Sequence, residues 1–474
     1  MTDSEWRFEI PCAGKQLTAT FDGGQLSSDG GLILLQQVDE RLGLTQRLAA
    51  AIRDGRDPAL VRQPLVTLLR QRIFGIACGY EDCNDFDALR ADALFKLAAG
   101  GQPLTGATLA SQPTLSRLEN AVGAQDLLRM SRALAELFVE RHQAAPPARI
   151  ILDADATDDP THGQQELEFY HGYYDEHCYL PLLVYATADG GEQELVAAVL
   201  RPGNVHAGHR AVAVLRRIVE RLRAAFPETE IVLRGDAGLA LPEVYDYCEG
   251  AQLSYVISLA KNSRLLESAE PWMSEAAAIY AETGEKARRF GEFSYAAASW
   301  AHPRRVVVKA EVLAQGENPR FVVSNLREAH PEAIYDDLYI RRGDVENRIK
   351  ELKGDLLSGR TSCHKFLANQ FRLLLHAAAF VLMQELRRLL AGTELAAAQA
   401  GTLRVKLLKV GARIRQTWRR IWVQLPTSYP WQRLWELVLG KLAVGVTKRE
   451  RCDGVETAKQ PGEQPSAKQH ASAG

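Results

Sequence analysis

Between residues 149 and 259 the apolar pattern runs strand, strand, strand, helix, strand, helix, strand, and that order leaves few folds open. Arg149 to Asp155 alternates with the period of two that a strand requires. Tyr179 to Thr187 reads as a second strand, Asp189-Gly190-Gly191 as a turn, and Leu195 to Leu200 as a third strand. His209 to Phe226 is an amphipathic helix. Glu230 to Arg234 is a short apolar strand that ends on Gly235-Asp236. Leu241 to Glu249 is helical, and Leu253 to Leu259 is a strand. An antiparallel start followed by helix crossovers predicts a mixed sheet flanked by helices.

The flanking segments read differently. To about Ala145 the chain is helical. Ser28 and Asp29 can cap a helix through Leu32, Leu35, Val38 and Leu42, which stops at Gly43. Pro64 sits at a helix start, Asp85 opens a short helix, and Ser111-Gln112-Pro113-Thr114 begins another. That last helix, to Asn120, either reads DNA or simply packs. A linker follows at Ala144-Ala145-Pro146-Pro147. Phe290 to Asn325 is rich in β-formers, and helices return at Tyr335 to Leu357 and Phe366 to Leu390. The expected organisation is a helical domain over 1–145. An α/β domain spans 146–261 and 331–395, interrupted by a β-rich insertion at 262–330. A basic helical region follows at 396–446, then a disordered tail at 447–474. The element order is that of an α/β, ribonuclease-H-like fold.

Formal net charge is −2, which argues against nucleic-acid binding unless charge is segregated. It is segregated. Arg404, Lys406, Lys409, Arg413, Arg415, Arg419 and Arg420 occur without an intervening acid, while residues 153–176 are acid-rich. The basic segment is either an exposed helix face or a DNA-backbone contact. Trp418 and Trp422, spaced i,i+4, read as core residues. Seven cysteines form no CxxC pair, so free thiols in a reducing cytoplasm are expected rather than zinc ligands. The first residues lack the apolar stretch of a signal peptide. No uncharged run reaches membrane-spanning length; Leu373 to Met383 comes closest.

Phosphodiester cleavage by water needs an activated nucleophile and neutralised phosphate charge, which two divalent ions about 4 Å apart provide. Magnesium prefers oxygen ligands and keeps several waters, so a few carboxylates suffice. Asp153 and Asp155 share one strand face. Asp236 directly follows the fourth strand, expected beside the first, at the strand-end position where such sheets hold ligands. Tyr339, Arg342, Glu346 and Lys353 lie at offsets of three, seven and fourteen. At about 100° per residue they fall within about 60° of one another. One helical stripe would present a hydroxyl, a guanidinium, a carboxylate and an ammonium. Helical ion pairing on a solvated face is the plain alternative. His162, His206 and His209 read as structural or supporting groups.

Tyr339-x2-Arg342-x3-Glu346-x6-Lys353 resembles the Tyr–Arg–Glu–Lys signature of bacterial insertion-sequence transposases of the DDE class. Leu152-Asp153-Ala154-Asp155-Ala156-Thr157 and Leu233-Arg234-Gly235-Asp236-Ala237-Gly238 look like its two aspartate blocks. Asp158-Asp159-Pro160-Thr161-His162-Gly163-Gln164-Gln165, with Phe21-Asp22-Gly23-Gly24, is similar to the group-1 DDE (thirteen-eighty) insertion-sequence family. The resemblance covers roughly residues 10 to 440. It implies that Asp155, Asp236 and Glu346 are catalytic and hold two Mg²⁺ ions, for which Mn²⁺ could substitute. It implies that Tyr339, Arg342 and Lys353 grip double-stranded transposon-end DNA. A Thr soon after the first aspartate favours Asp155, with Asp153 the alternative ligand. The implied activity is strand hydrolysis at the element ends and transfer of the 3′-hydroxyl to target DNA. A homodimer would hold the two ends in the bacterial cytoplasm, at the nucleoid. Some members stack an insertion tryptophan on a flipped base during hairpin formation; Trp272 and Trp300 are the candidates here. The rival classes are a DNA-binding repressor that has lost catalysis and a metal-dependent nuclease without strand transfer.

Overall fold

A computed structural model describes residues 5–12 and 15–452. Its centre is one mixed sheet. The strands are β1 (Arg149–Ala156), β2 (Leu182–Ala188), β3 (Glu194–Val199), β4 (Glu230–Gly235), β5 (Ser254–Leu259), β6 (Ala287–Tyr295), β7 (Arg304–Leu313) and β8 (Arg320–Ser324). Their spatial order is β6-β7-β8-β5-β4-β1-β2-β3, and a short strand at Gly316–Glu317 pairs with β7. β1 runs parallel to β4 and antiparallel to β2. β4 and β5 are parallel, and β5 pairs antiparallel with β8. Parallel pairs need a covering crossover. It is supplied by the helices α4 (Ala211–Ala225) and α5 (Pro242–Gly250), counted after α1 (Leu32–Leu42), α2 (Leu65–Cys78) and α3 (Ala124–His142).

Helices cover both sheet faces. Ile150, Leu152 and Ala154 of β1 join one core with α4, α5 and α6 (Ser263–Thr283). Leu183 and Tyr185 of β2 join the other core, with the N-terminal helices and α8 (Phe366–Leu389); α7 is Gly343–Lys350. α8 is buried all round: Phe371, Leu375, Phe380, Leu382 and Met383 are closed to solvent. Each such side chain contributes about 1.5–3 kcal/mol of apolar burial. By length and composition α8 could cross a membrane, but 83% of its most apolar stretch is buried inside this fold.

Several expectations are corrected here. The second strand breaks at Leu180-Pro181 into Glu176–Tyr179 and β2, because Pro181 has no N–H for a ladder. The 1–145 helices form no separate core; they share one cluster with α8. The 262–330 segment opens with α6, and its strands extend the central sheet rather than standing apart. α1 starts after Gly31 without a side-chain cap, although it does end on a left-handed Gly43. Gly30 and Gly31 donate to the Val410 and Leu408 carbonyls, and a Cβ on Gly31 would meet the Leu407 carbonyl at 2.2 Å. That contact locks the C-terminal segment onto the N-terminal helices.

The 396–446 region is not wholly helical. It contains the hairpin β9 (Ala412–Gln416) and β10 (Ile421–Gln424). The run Arg-Ile-Arg-Gln alternates with period two, which overrides the basic helical reading. Trp418 lies at the hairpin turn and is 98% exposed, not in the core, and Trp422 is also exposed. A final helix runs Gln432–Cys452, past the expected start of the tail; residues 453–474 lie outside the described residues. Cys78, Cys83, Cys178, Cys248 and Cys363 are free thiols, and the side chains of Cys12 and Cys452 lie outside the description.

Candidate active site

β1 and β4 pair in register, Arg234 opposite Asp153 and Gly235 opposite Ala154. One residue further, Asp155 and Asp236 therefore stand beside each other at the strand ends. Asp236 turns the chain there: its carboxylate accepts the Gly238 N–H at 2.9 Å. Gly238 sits so close to Ala207 that a Cβ would meet that side chain at 2.6 Å. Buried Arg201 holds the loop before it by donating to the carbonyls of Leu180, Ala207 and His209.

The segment carrying the third carboxylate is an irregular helix. It runs as a π turn (Ala333–Tyr339), a 3₁₀ turn (Ile340–Arg342), α7, and a second π turn (Glu351–Asp355). Such insertions shift side chains off an ideal helical stripe. Arg342 nevertheless bridges β1 and its own helix. Its Nη1 donates to Asp155 Oδ2 at 2.9 Å and its Nη2 to Glu346 Oε1 at 2.6 Å. Lys353 donates to Asp158 at 2.8 Å and to Thr157 at 3.3 Å. Tyr339 packs its ring 5.4 Å from Tyr335. Arg342 and Lys353 thus face the acidic site, not open solvent.

The electrostatics follow from this crowding. Burial pushes the Asp155 carboxyl up to about 7; Asp236 and Glu346 push the same way, and Arg342 opposes them. Asp155, Asp236 and Glu346 therefore repel one another across Arg342, and positive charge placed near them would relieve that repulsion. The oxygen-only donors suit hard divalent ions. Among the described residues, no three His, Cys, Asp or Glu side chains stand close enough to hold an ion as they are placed.

Asp153 has a different partner. Arg234 Nε and Nη2 donate to its two oxygens at 2.5 and 2.8 Å, and Arg234 Nη1 donates to the Leu338 carbonyl at 2.6 Å. Asp153 and Arg234 are 1% and 3% exposed at the side chain. This buried pair clamps β1 to β4 and ties both to the helix leading to Arg342.

Sequence reasoning missed Arg234; the signal was its position two residues before Asp236, on the same strand face. It also missed Tyr174. Burial, then Asp158, Asp155, Tyr173 and Asp236, raise that phenol to about 12, which places it in the same acidic field. Trp272 and Trp300 are half-buried. Trp272 stacks on Phe293, and Trp300 packs against Tyr245 and Tyr295 with the Arg304 guanidinium 5.3 Å from its ring. His162 and His206 are exposed. The Gln112–Ala121 helix packs Leu115, Leu118 and Glu119 inward and leaves Arg117 and Asn120 outside.

No curated protein matches the chain at a significant level. The family model described as transposase DDE domain, group 1, matches residues 10–445, so the chain belongs to that family, whose members are enzymes of polynucleotidyl-transferase type.

Proposed function

We propose that the protein is a ribonuclease-H-like DDE transposase of the thirteen-eighty insertion-sequence type. It binds the terminal inverted repeats of its element, hydrolyses the strand at each end and transfers the freed 3′-hydroxyl to target DNA. One observation carries this reading: Asp155 from β1 and Glu346 from α7 share the Arg342 guanidinium, with Asp236 adjoining Asp155 across the β1–β4 register. The sheet order β3-β2-β1-β4-β5, antiparallel then parallel, supports the fold assignment.

Asp155, Asp236 and Glu346 would hold two Mg²⁺ ions, with Mn²⁺ able to replace them. When bound, such ions polarise the scissile phosphate and lower the pKa of water. The chain's own groups do the positioning. Arg342 keeps Asp155 and Glu346 together and offers a planar fork suited to a phosphate. Lys353, beside Asp158, adds a point charge along the same DNA backbone, and Tyr339 borders that surface. The Arg234–Asp153 pair fixes the two aspartate strands in register. Two element ends must meet, so two copies act together in the bacterial cytoplasm, at the nucleoid.

The test is incubation of the protein with paired end duplexes, target DNA and Mg²⁺, with products resolved by strand. Joined products are expected. Cleavage without joining would make the protein a nuclease. Binding with neither reaction would make it a repressor.

A further inference from the structure

The C-terminal basic segment separates into two parts once the contacts are known. No acid occurs between Glu394 and Glu436. Arg404 is spent on the carbonyls of Ala77 and Asp355, and Lys409 on Asp29 at 2.7 Å. Lys406 lies 4.3 Å from the Trp431 ring centroid, and Arg433 pairs with Glu394. Arg413, Arg415, Arg419 and Arg420 remain. All four are exposed, and their guanidinium groups make no ion pair or hydrogen bond among the described residues.

The hairpin arranges those four. The register pairs Arg413 with Gln424, Ile414 with Val423, Arg415 with Trp422 and Gln416 with Ile421. Ile414 is buried, so Arg413, Arg415, Trp422 and Gln424 share the outward face. The Thr417 N–H donates to the Arg420 carbonyl at 2.8 Å and closes a turn whose tip is Trp418-Arg419. The other side is anchored. β9 pairs with Leu26–Ser27, and Gln416 is held by the Leu104 N–H and by Gln102. The result is a firmly based ribbon whose free face is cationic and whose tip is a bare indole. A tryptophan usually buries roughly 150–250 Å², and here Trp418 and Trp422 leave two indoles open to solvent on one cationic ribbon.

We propose that the β9–β10 hairpin is a duplex-DNA contact: Arg413, Arg415, Arg419 and Arg420 hold phosphates along one groove, and Trp418 enters that groove and stacks against a base step. A two-stranded ribbon fits a major groove about 12 Å wide. Four arginines and no lysine suit bidentate phosphate contact. Aromatic stacking on a base is sequence-tolerant, because every base has a π-face. The proposal rests on the transposase reading for its choice of a DNA partner.

The experiment uses the full chain, in EDTA, with a mixed-sequence duplex of about 20 base pairs. Wild type, Trp418→Ala, Trp418→Phe and the double variant Arg419→Ala/Arg420→Ala are titrated across a salt series. Each phosphate contact contributes about 0.9 to the slope of log affinity against log salt, so the double variant should lose about two units. Trp418→Ala should weaken binding about tenfold with the slope unchanged, and Trp418→Phe should recover most of the loss. These side chains are exposed, so thermal midpoints should match wild type. Wild-type affinity and slope in every variant would overturn the proposal. So would a change in self-association with DNA affinity intact, which would make the hairpin an interface between copies. If the hairpin fails while the wild type still cleaves end DNA in Mg²⁺, the transposase reading survives. If the hairpin binds as expected and no cleavage occurs, that reading fails alone.

Discussion

Asp153 and Asp155 are two residues apart on one strand face, yet their amide variants should behave in opposite ways. Asp153→Asn leaves the Arg234 guanidinium, 3% exposed, without its counter-charge. Removing one partner of a buried ion pair costs about 3–5 kcal/mol. The asparagine keeps one acceptor oxygen, and Arg234 keeps the Leu338 carbonyl, so the lower end, about 3 kcal/mol, is expected. That is a large part of the 5–15 kcal/mol that typically holds a protein folded. Asp155→Asn removes a charge from a place where Asp236 and Glu346 already repel it. It loses a charge-assisted bond to Arg342, about 1.5–3 kcal/mol, and relieves repulsion and desolvation that oppose that loss. The net change should stay within about 1 kcal/mol. Urea denaturation in EDTA, followed by cleavage of end DNA in Mg²⁺, separates the two. Asp153→Asn should be fragile but retain cleavage while folded; Asp155→Asn should be stable and inactive. Equal destabilisation by both, or a fully stable Asp153→Asn, would refute the division of roles.

Other outcomes follow from the same contacts. Glu119 faces Arg72 at 3.0 Å and Arg372 at 3.7 Å, all nearly closed to solvent, so Glu119→Gln should cost about 3–5 kcal/mol; an unchanged thermal midpoint would contradict this. Burial holds His376 neutral, with its pKa lowered to about 3 from 6.5. Below the unfolded value the unfolded chain takes up a proton that the folded chain refuses, so stability falls with pH. The loss is about 2 kcal/mol by about pH 5. His376→Gln should remove that part of the slope, and identical pH profiles for variant and wild type would refute the assignment. Mg²⁺ at about a hundred times its dissociation constant should raise stability by about 2.7 kcal/mol in wild type. Asp236→Asn should lose most of that gain, and an equal gain in both would place the ions elsewhere.

The sheet was legible because its strands have a strong local signature. The apolar run before Gly235-Asp236 reads as β4 without any tertiary information, and that position sets Asp236 beside β1. Other features depended on packing. The segment over 263–283 carries Pro271 inside its helix and few β-branched residues, and only its union with the β-rich block after it disguised α6. The hairpin at 412–424 is short, and Trp418 and Trp422 imitate a helical spacing that a tight turn produces equally well. The role of Arg234 needed the register against Asp153, which no single-strand pattern contains. The irregular turns around Arg342 likewise come from packing, yet Glu346 still reaches the guanidinium that binds Asp155.

The central claim is that Asp155, Asp236 and Glu346 form one catalytic centre. Its most direct test is single-turnover cleavage of an end duplex in Mg²⁺ by Glu346→Gln, with binding to the same duplex measured alongside. Glu346 is half exposed, so the fold should tolerate the change. Losing a ligand that supports several kcal/mol of transition-state stabilisation predicts a fall of about a thousandfold in rate with binding retained. Cleavage and joining at the wild-type rate would contradict the claim.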